Sequence, residues 1–481
     1  MTEPTHTQPS APVLAIDLDG TLLRSDMLFE TFWSSISTTI QQPLKSVQEA
    51  LGGKAALKRL LATHSNVDPA TLPYNEGVLR YIEDWRGNGG RVVLVTASDQ
   101  ALADDIAAHL GLFDEVHGSD GRKNLKGHAK AEFLVARFGE KGFVYMGDSR
   151  CDVDVWRHAA KAVTVNASAD VKRKASALGI ACEHIVSEPE SFKPYVKAMR
   201  PHQWLKNILI FLPMLAAHQF NLETLWQGLL AFLAFSLMAS GVYVLNDLLD
   251  LHSDRAHPRK RRRPFASGAA SLMRGSFMAP MLIAAGAGLS AILGERMLLV
   301  IAIYFVFTTA YSLWLKRQMV LDICLLSMLY TIRIVAGGTA MSIPLSVWLL
   351  AFSMFFFFSL AAVKRQAELV DMRERGEILA TGRGYHVDDL PIISMMGISS
   401  GYVAVVIMAF YVNSEAMVVL YHEPTALWGI CFVLLYWITH MVMVTHRGEM
   451  HDDPVVYAVT DRLSQICGFF VLLFVVAGVV L

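Results

Sequence analysis

Apolar positions fall into two regimes along this chain. Up to about residue 190 the apolar runs are short and end in loops rich in Gly, Asp, Ser and Thr. Val13-Leu-Ala-Ile16 before Asp17-Leu-Asp19-Gly20-Thr21 is one. Arg91-Val-Val-Leu-Val before Thr96-Ala-Ser98 is a second, and Phe143-Val-Tyr-Met before Gly147-Asp148-Ser149 is a third. All three have the length and character of strands buried on both faces. Helical stretches are predicted between them, over about 76–87, 99–110, 128–138 and 152–159. This alternation predicts an α/β domain, a doubly wound parallel sheet with its chemistry at the carboxyl ends of the strands.

Past about residue 203 the runs lengthen to bilayer scale. Stretches at about 205–221, 224–245, 273–293, 297–315, 319–340, 346–363, 391–413, 425–445 and 463–481 each approach the roughly 20 residues a helix needs to cross a membrane. They predict an all-α bundle of nine transmembrane helices over 200–481. A polar, Pro-bearing linker at 188–199 joins it to the first domain at 13–187. Residues 1–12 are polar and predict a disordered N-terminus, and Val13–Ile16 is too short for a signal-peptide core. Lys and Arg gather in the loops at 246–272, 316–318, 364–390 and 446–462, whereas the opposite loops carry only Arg296. The bias predicts a multi-pass protein of the cytoplasmic (inner) membrane, with the basic loops and the first domain on the cytoplasmic side.

Composition sharpens this picture in two places. The 42 Lys and Arg balance 43 Asp and Glu, so nothing global points to nucleic acid, and 53% hydrophobic content suits a partly embedded chain. Five scattered cysteines form no CxxC, so neither a thiolate metal site nor a disulfide framework is indicated.

Chemistry concentrates where the run at 224–245 stops, in Asn246-Asp247-Leu-Leu-Asp250-Leu-His-Ser-Asp254-Arg255, followed by Lys260-Arg-Arg-Arg263. In a helix, Asn246, Asp250 and Asp254 are spaced i, i+4, i+8, with Asp247 beside them, so all four fall on one side. Carboxylates this close repel unless a cation stands between them, and hard oxygen donors suit Mg²⁺ shared with substrate phosphates. Acidic groups at the mouth of an apolar segment are costly and tend to be functional.

The first domain resembles the haloacid dehalogenase (HAD) phosphatase superfamily across essentially all of 13–187: DxDGT, a strand ending in Thr, a downstream Lys, then GDSxxD. The resemblance implies a small helical cap at about 22–90 and an aspartyl-phosphate on Asp17, with Asp19 as general acid and base. The division of labour is physical: one carboxylate attacks phosphorus and the other moves the proton. Thr96 and Ser98 would hydrogen-bond the phosphate, and a lysine would neutralise it, Lys130 at a helix start being preferred over Lys126. Mg²⁺ would be held among Asp17, Asp19, Asp148 and Asp152.

The second domain resembles the UbiA superfamily of intramembrane prenyltransferases. Within it, the nearer likeness is to the decaprenyl-phosphate phosphoribosyltransferases, carried by RPHQWLKN at 200–207, NDLLDLHSDRAHPRKRRRP at 246–264, YTIRIVAGGTAMSIPLS at 330–346 and KRQAEL at 364–369. The resemblance implies Mg²⁺ at Asn246, Asp247, Asp250 and Asp254, with Asp247 and Asp250 central to catalysis. It implies phosphoribosyl pyrophosphate (PRPP) and a polyprenyl phosphate as substrates. Aromatic prenyltransferases carry a second aspartate-rich motif in the loop at 364–390; here there is no DxxxD, but Lys364, Arg365, Glu368, Arg383 and Tyr385. Such basic groups suit a sugar phosphate better than a second metal. Lys206, Asn207 and Arg255 are further candidate phosphate ligands. Arg333 lies about 14 residues into its span, about 20 Å of helix, and either faces the bundle interior or snorkels outward.

The two resemblances together imply a bifunctional membrane enzyme. It transfers 5-phosphoribosyl from PRPP to a polyprenyl phosphate, and its HAD half then removes the 5′-phosphate. The alternative is a prenyltransferase that joins a polyprenyl diphosphate to an aromatic or other acceptor, beside a phosphatase of unrelated substrate. The oligomeric state is left open.

Overall fold

The computed structural model describes residues 13–38, 59–61, 63–120, 124–186, 191–376, 384–450 and 453–480. The predicted N-terminal tail, 1–12, lies outside them. The chain divides into two compact units. One contains residues 1–199 together with Tyr243–Ala279, and the other contains Arg200–Val242 with Pro280–Leu481. The acid-rich 246–254 stretch, placed by its sequence with the membrane half, thus packs with the N-terminal residues.

In the first unit six strands form one parallel sheet: β1 (Val13–Ile16), β2 (Val92–Asp99), β3 (Glu115–Ser119), β4 (Phe143–Gly147), β5 (Lys161–Val165) and β6 (Ala181–Ile185). Their order is β3-β2-β1-β4-β5-β6, and Leu14 of β1 is in register with Val92 on one side and Val144 on the other. The chain reverses its direction of travel at β1. The carboxyl ends of β1 and β4 are therefore the topological switch point, where an open α/β sheet leaves a crevice.

Alternation along the strands fills both faces. Leu14, Ile16, Leu94, Val144 and Met146 face one layer, with Val78 and Ile82 from the helix Glu76–Gly87. Ala15, Val93, Phe143 and Tyr145 face the other, with Leu134 and Trp156. Helix starts are capped as their sequences predict: Asn75 accepts from the Gly77 N–H and Asp99 from the Ala101 N–H. Because Glu76–Gly87 covers the sheet itself, the cap stops short of the residue 90 predicted for it. Its described part includes the helix Met27–Thr38 and a 3₁₀ turn at Pro69–Thr71.

The second unit is helical. Among the described residues eight helices of the chain are long and apolar enough to cross a membrane, from Leu222–Leu249 to Arg462–Val480. They coincide with the last eight predicted spans. The stretch at 205–221 folds differently, as a 3₁₀ helix Pro201–Phe211 running into a short α-helix, Leu212–Ala216. Its close seat explains the tighter winding. A Cβ on Gly337 would stand 1.9 Å from the Ile210 carbonyl, so only glycine lets this backbone reach the helix Leu321–Ala340. That helix is the most interior, 67% of its span buried against 17% for the last, and Val347–Glu374 packs along it. Tyr330, Ile334, Phe357, Leu360, Trp437 and Met441 form the shared core.

Candidate active sites

The loops after β1 and β4 and the start of the helix His128–Phe138 converge on one carboxylate cluster. Oxygens of Asp17, Asp148 and Asp152 all lie within 4.8 Å of one another. Lys130 is buried and donates to Asp17 Oδ1 at 2.8 Å and to the Tyr145 hydroxyl at 2.9 Å. Tyr145 in turn donates to Asp152 Oδ1 at 2.8 Å. Asp152 Oδ2 accepts the N–H groups of Asp148 and Ser149 and the Ser149 hydroxyl. The Leu18 N–H and Lys130 both hold Asp17 Oδ1, which fixes that carboxylate's orientation. Gly20, at φ +73°, leaves the room: a Cβ there would meet Asp148 Oδ2 at 2.3 Å.

Three carboxylates face one ammonium, and the electrostatics show the deficit. Burial, opposed by Lys130 and reinforced by Asp152, pushes the Asp17 carboxyl up to about 6. Burial and the neighbouring carboxylates drive Asp148 well above its ordinary range. For Lys130 burial pulls downward, but Asp17 and Asp152 outweigh it and hold the ammonium above its usual value. A site of hard oxygens short of positive charge fits a divalent cation.

Asp19 stands outside that trio. Its Oδ1 accepts the Met27 N–H at 2.8 Å and its Oδ2 the Ser98 hydroxyl at 2.7 Å. Of the four acids expected at the metal, the Asp19 carboxylate is thus not one of the three that cluster, and Ser98, expected at the phosphate, holds Asp19 in this structure. Thr96 is fully buried and accepts the Ser98 N–H. Lys126 is exposed, so Lys130 is the lysine at the cluster. Tyr145 was overlooked. A tyrosine inside an otherwise apolar buried strand is a readable signal, because its hydroxyl must find a partner.

The 246–254 stretch is not one continuous helix. Leu222–Leu249 ends, Asp250 caps, and Leu251–Ala256 begins. The ladder survives the break, with the Asp250 N–H on the Asn246 carbonyl and the Asp254 N–H on the Asp250 carbonyl, both 2.8 Å. Asp247 and Asp254 are buried and share one guanidinium: Arg263 Nη1 is 3.2 Å from Asp247 Oδ1 and 2.6 Å from Asp254 Oδ2. Asp254 Oδ1 is buried without a hydrogen-bond partner. Burial, partly offset by Arg263 and reinforced by Asp247, raises the Asp254 carboxyl. Hard oxygens with an orphaned acceptor have the donor chemistry that Mg²⁺ takes, although among the described residues only the Asp17 trio brings three carboxylates within 4.8 Å of one another. Arg255, expected to bind phosphate, instead pairs with Glu30.

In the second unit a basic cluster is built on one carboxylate. Lys206 and Lys364 each donate to Asp453 Oδ2 at 2.8 Å. Burial alone would raise the Asp453 carboxyl, yet Lys364 and Lys206 hold it far below the usual range. Arg333 faces the interior, which decides between its two predicted orientations. Its Nε donates to Asn207 Oδ1 at 2.8 Å, and its guanidinium lies over the rings of Tyr304 and Tyr330, 5.2 and 5.7 Å from their centroids. The Lys206 ammonium also lies over Tyr330. Asn207 passes a bond on to Ser236. The sequence assigns no role to Asp453, Tyr304 or Tyr330.

Three other expected ligands are committed elsewhere. Arg365 is fully buried and pairs with Asp322 and Glu368. The Tyr385 hydroxyl donates to Asp322 and accepts the Val320 N–H at 2.7 Å, pinning a β-branched residue at φ +63°. Arg365, Glu368 and Tyr385 therefore form a structural knot rather than a phosphate site. Arg383 lies outside the described residues.

Comparison with known proteins matches these two regions separately. The model of the UbiA prenyltransferase family matches residues 207–466, and that of haloacid dehalogenase-like hydrolases matches 14–157. "Uncharacterized protein y4nM" of Sinorhizobium fredii is 38% identical over 458 residues, 95% of this chain and 89% of that protein. "Nodulation protein NoeC" of Azorhizobium caulinodans is 42% identical over 282 residues, 57% of this chain and 90% of that protein. "Decaprenyl-phosphate phosphoribosyltransferase" of Mycolicibacterium smegmatis is 33% identical over 278 residues, 56% of this chain and 87% of that protein.

Proposed function

Because the chain belongs to the UbiA prenyltransferase family and carries a haloacid dehalogenase-like hydrolase domain ahead of that region, we propose a bifunctional membrane enzyme that makes and then trims a lipid-linked sugar phosphate. The transferase joins the 5-phosphoribosyl group of PRPP to a polyprenyl phosphate. A phosphate oxygen of the lipid attacks C1 of the ribose, the bond from C1 to the pyrophosphate oxygen breaks, and pyrophosphate leaves with that electron pair. The nucleophile is already an anion at neutral pH, so no strong base is required. The obstacle is the meeting of two polyanions.

The observation that carries this reading is the basic cluster. Lys206 and Lys364 share the single carboxylate of Asp453, and the described partners of Arg333 are all neutral. That surplus of positive charge inside an apolar bundle suits phosphate-bearing substrates. The name of the Mycolicibacterium smegmatis relative points the same way. Asn246, Asp247, Asp250 and Asp254 would hold Mg²⁺, whose charge stabilises the departing pyrophosphate. Arg263, which now pairs with Asp247 and Asp254, would have to yield that place to the ion.

In the hydrolase domain Asp17 attacks the phosphorus of the 5′-phosphate and the P–O bond to the sugar breaks. Asp19 protonates the sugar oxygen as it leaves, then takes a proton from the water that hydrolyses the aspartyl-phosphate. Lys130 neutralises the transferring group, and Tyr145 keeps Lys130 and Asp152 in place. Asp17, Asp148 and Asp152 would hold Mg²⁺, which lets an anionic nucleophile approach an anionic substrate. Both sites work on the cytoplasmic face of the inner membrane, as the Lys and Arg bias of the loops predicts.

The choice of donor tests the transferase. Membranes containing the protein, offered labelled PRPP and labelled polyprenyl diphosphate in parallel, should incorporate the first into lipid with added polyprenyl phosphate. Incorporation of only the second, into an aromatic acceptor, would replace this reading with the ordinary prenyltransferase one.

A further inference from the structure

Arg255 directly follows Asp254, and its guanidinium is turned to the cap helix Met27–Thr38. Nη1 donates to Glu30 Oε2 at 2.8 Å, Nη2 to Glu30 Oε1 at 2.6 Å, and Nε to the Ala266 carbonyl at 3.0 Å. Both side chains are buried, 5% and 2% exposed. A buried fork-to-fork pair tolerates essentially one geometry, because displacing either end strands a charge away from water.

Glu30 leads on to the phosphatase loop. Its Oε1 also accepts the Ser25 hydroxyl, and the Ser25 carbonyl accepts the Gly20 N–H at 3.2 Å. One turn before Glu30, the Met27 N–H donates to Asp19 Oδ1. The helix that Arg255 grips is thus the helix whose first N–H holds Asp19. A further bond ties the same cap helix to the helix that begins at Leu272, from Trp33 Nε1 to the Ser276 hydroxyl at 2.9 Å.

We propose that Arg255 and Glu30 are positioning residues that couple the two acid sites. Arg255 sets the place of the Asp19 carboxylate through the cap helix, and Glu30 sets the place of the backbone that carries Asp254. Neither touches a reacting atom. The mechanical link stands on geometry alone; its effect on turnover rests on the reading of Asp19 as the proton donor.

Hydrogen–deuterium exchange on the full chain in detergent tests the link without any activity. In Arg255→Met, amides at 19–30 should exchange about tenfold faster, and in Glu30→Gln those at 247–256 should, while β5 keeps its protection. The double variant should add little to the larger single effect, since either change already breaks the pair. In the same preparations, kcat for para-nitrophenyl phosphate should fall about tenfold in Arg255→Met with KM within about twofold, a positioning loss rather than a binding loss. Arg255→Lys should restore only part of it, because an ammonium cannot hold Glu30 and Ala266 in one fork. Unchanged exchange at 19–30 in Arg255→Met overturns the proposal, as does loosening that extends equally to β5. If the exchange is coupled but wild type hydrolyses no phosphomonoester, the link stands and the role given to Asp19 falls.

Discussion

Arg263 Nη1 lies 2.6 Å from Asp254 Oδ2 and extends to Asp247 as well, so a guanidinium occupies the position between two buried carboxylates. Arg263→Gln removes the guanidinium from between those acids. In chelator the variant should unfold more easily, by on the order of 1 kcal/mol because Arg263 is only partly buried. Added Mg²⁺ should raise its thermal midpoint more than that of wild type, since ion binding to the folded form is then unopposed. Equal Mg²⁺ responses would remove Arg263 from the ion's position.

Lys130, not Lys126, contacts Asp17. Lys130→Met should lower phosphomonoester turnover by about 10²–10³, the usual cost of losing a group that neutralises developing charge in a closed site. Lys126→Met should stay within about twofold. Steady-state kinetics on the full chain distinguishes them, and comparable losses in the two variants would refute the assignment.

The raised Asp17 carboxyl gives the phosphatase a pH signature. With the group pushed up to about 6 from its ordinary 3.8, its anion becomes scarce below pH about 6 at low Mg²⁺. Activity should fall on that acid side, and saturating Mg²⁺ should move the fall to lower pH. Linkage fixes the sign for stability. A folded-state value above the unfolded one means that the contribution is complete below about 4 and is lost as pH rises through about 6. The metal-free protein should therefore lose this contribution between pH about 4 and about 6, and Mg²⁺ should return it. An acid limb indifferent to Mg²⁺ would contradict the cluster.

Arg365 and Asp322 predict a stability effect instead of a substrate effect. Arg365→Met strands a buried carboxylate and should cost about 3–5 kcal/mol of unfolding free energy, while Arg365→Met with Asp322→Asn should recover most of it. Chemical unfolding in detergent measures both. A variant that keeps its stability but loses affinity for a phosphate substrate would return Arg365 to the site.

The sheet and the trio of acids were legible because short apolar strands ending in Asp-Gly or Gly-Asp announce both the fold and the crevice. Apolar length alone revealed eight of the long helices. The stretch at 205–221 misled because its tight winding depends on a contact between Ile210 and Gly337, far away in sequence. The basic residues were harder still. Sequence shows that Arg255 and Arg365 are charged but not what neutralises them, and Glu30 lies 225 positions from one and Asp322 43 from the other. Asp322 offered a usable clue, since an aspartate within an apolar span at 319–340 must find a cation. Asp453, which gathers Lys206 and Lys364, precedes Pro454 and caps the helix Pro454–Thr460, a local signal that says nothing of the two lysines.

The central claim is one chain making and trimming the same lipid. Membranes given PRPP and polyprenyl phosphate, with the lipid product followed by mass, test it most directly. Wild type should accumulate a polyprenyl-phosphate ribose, and Asp17→Asn the same lipid one phosphate heavier. The same product from both, or no sugar-bearing lipid from either, would contradict it.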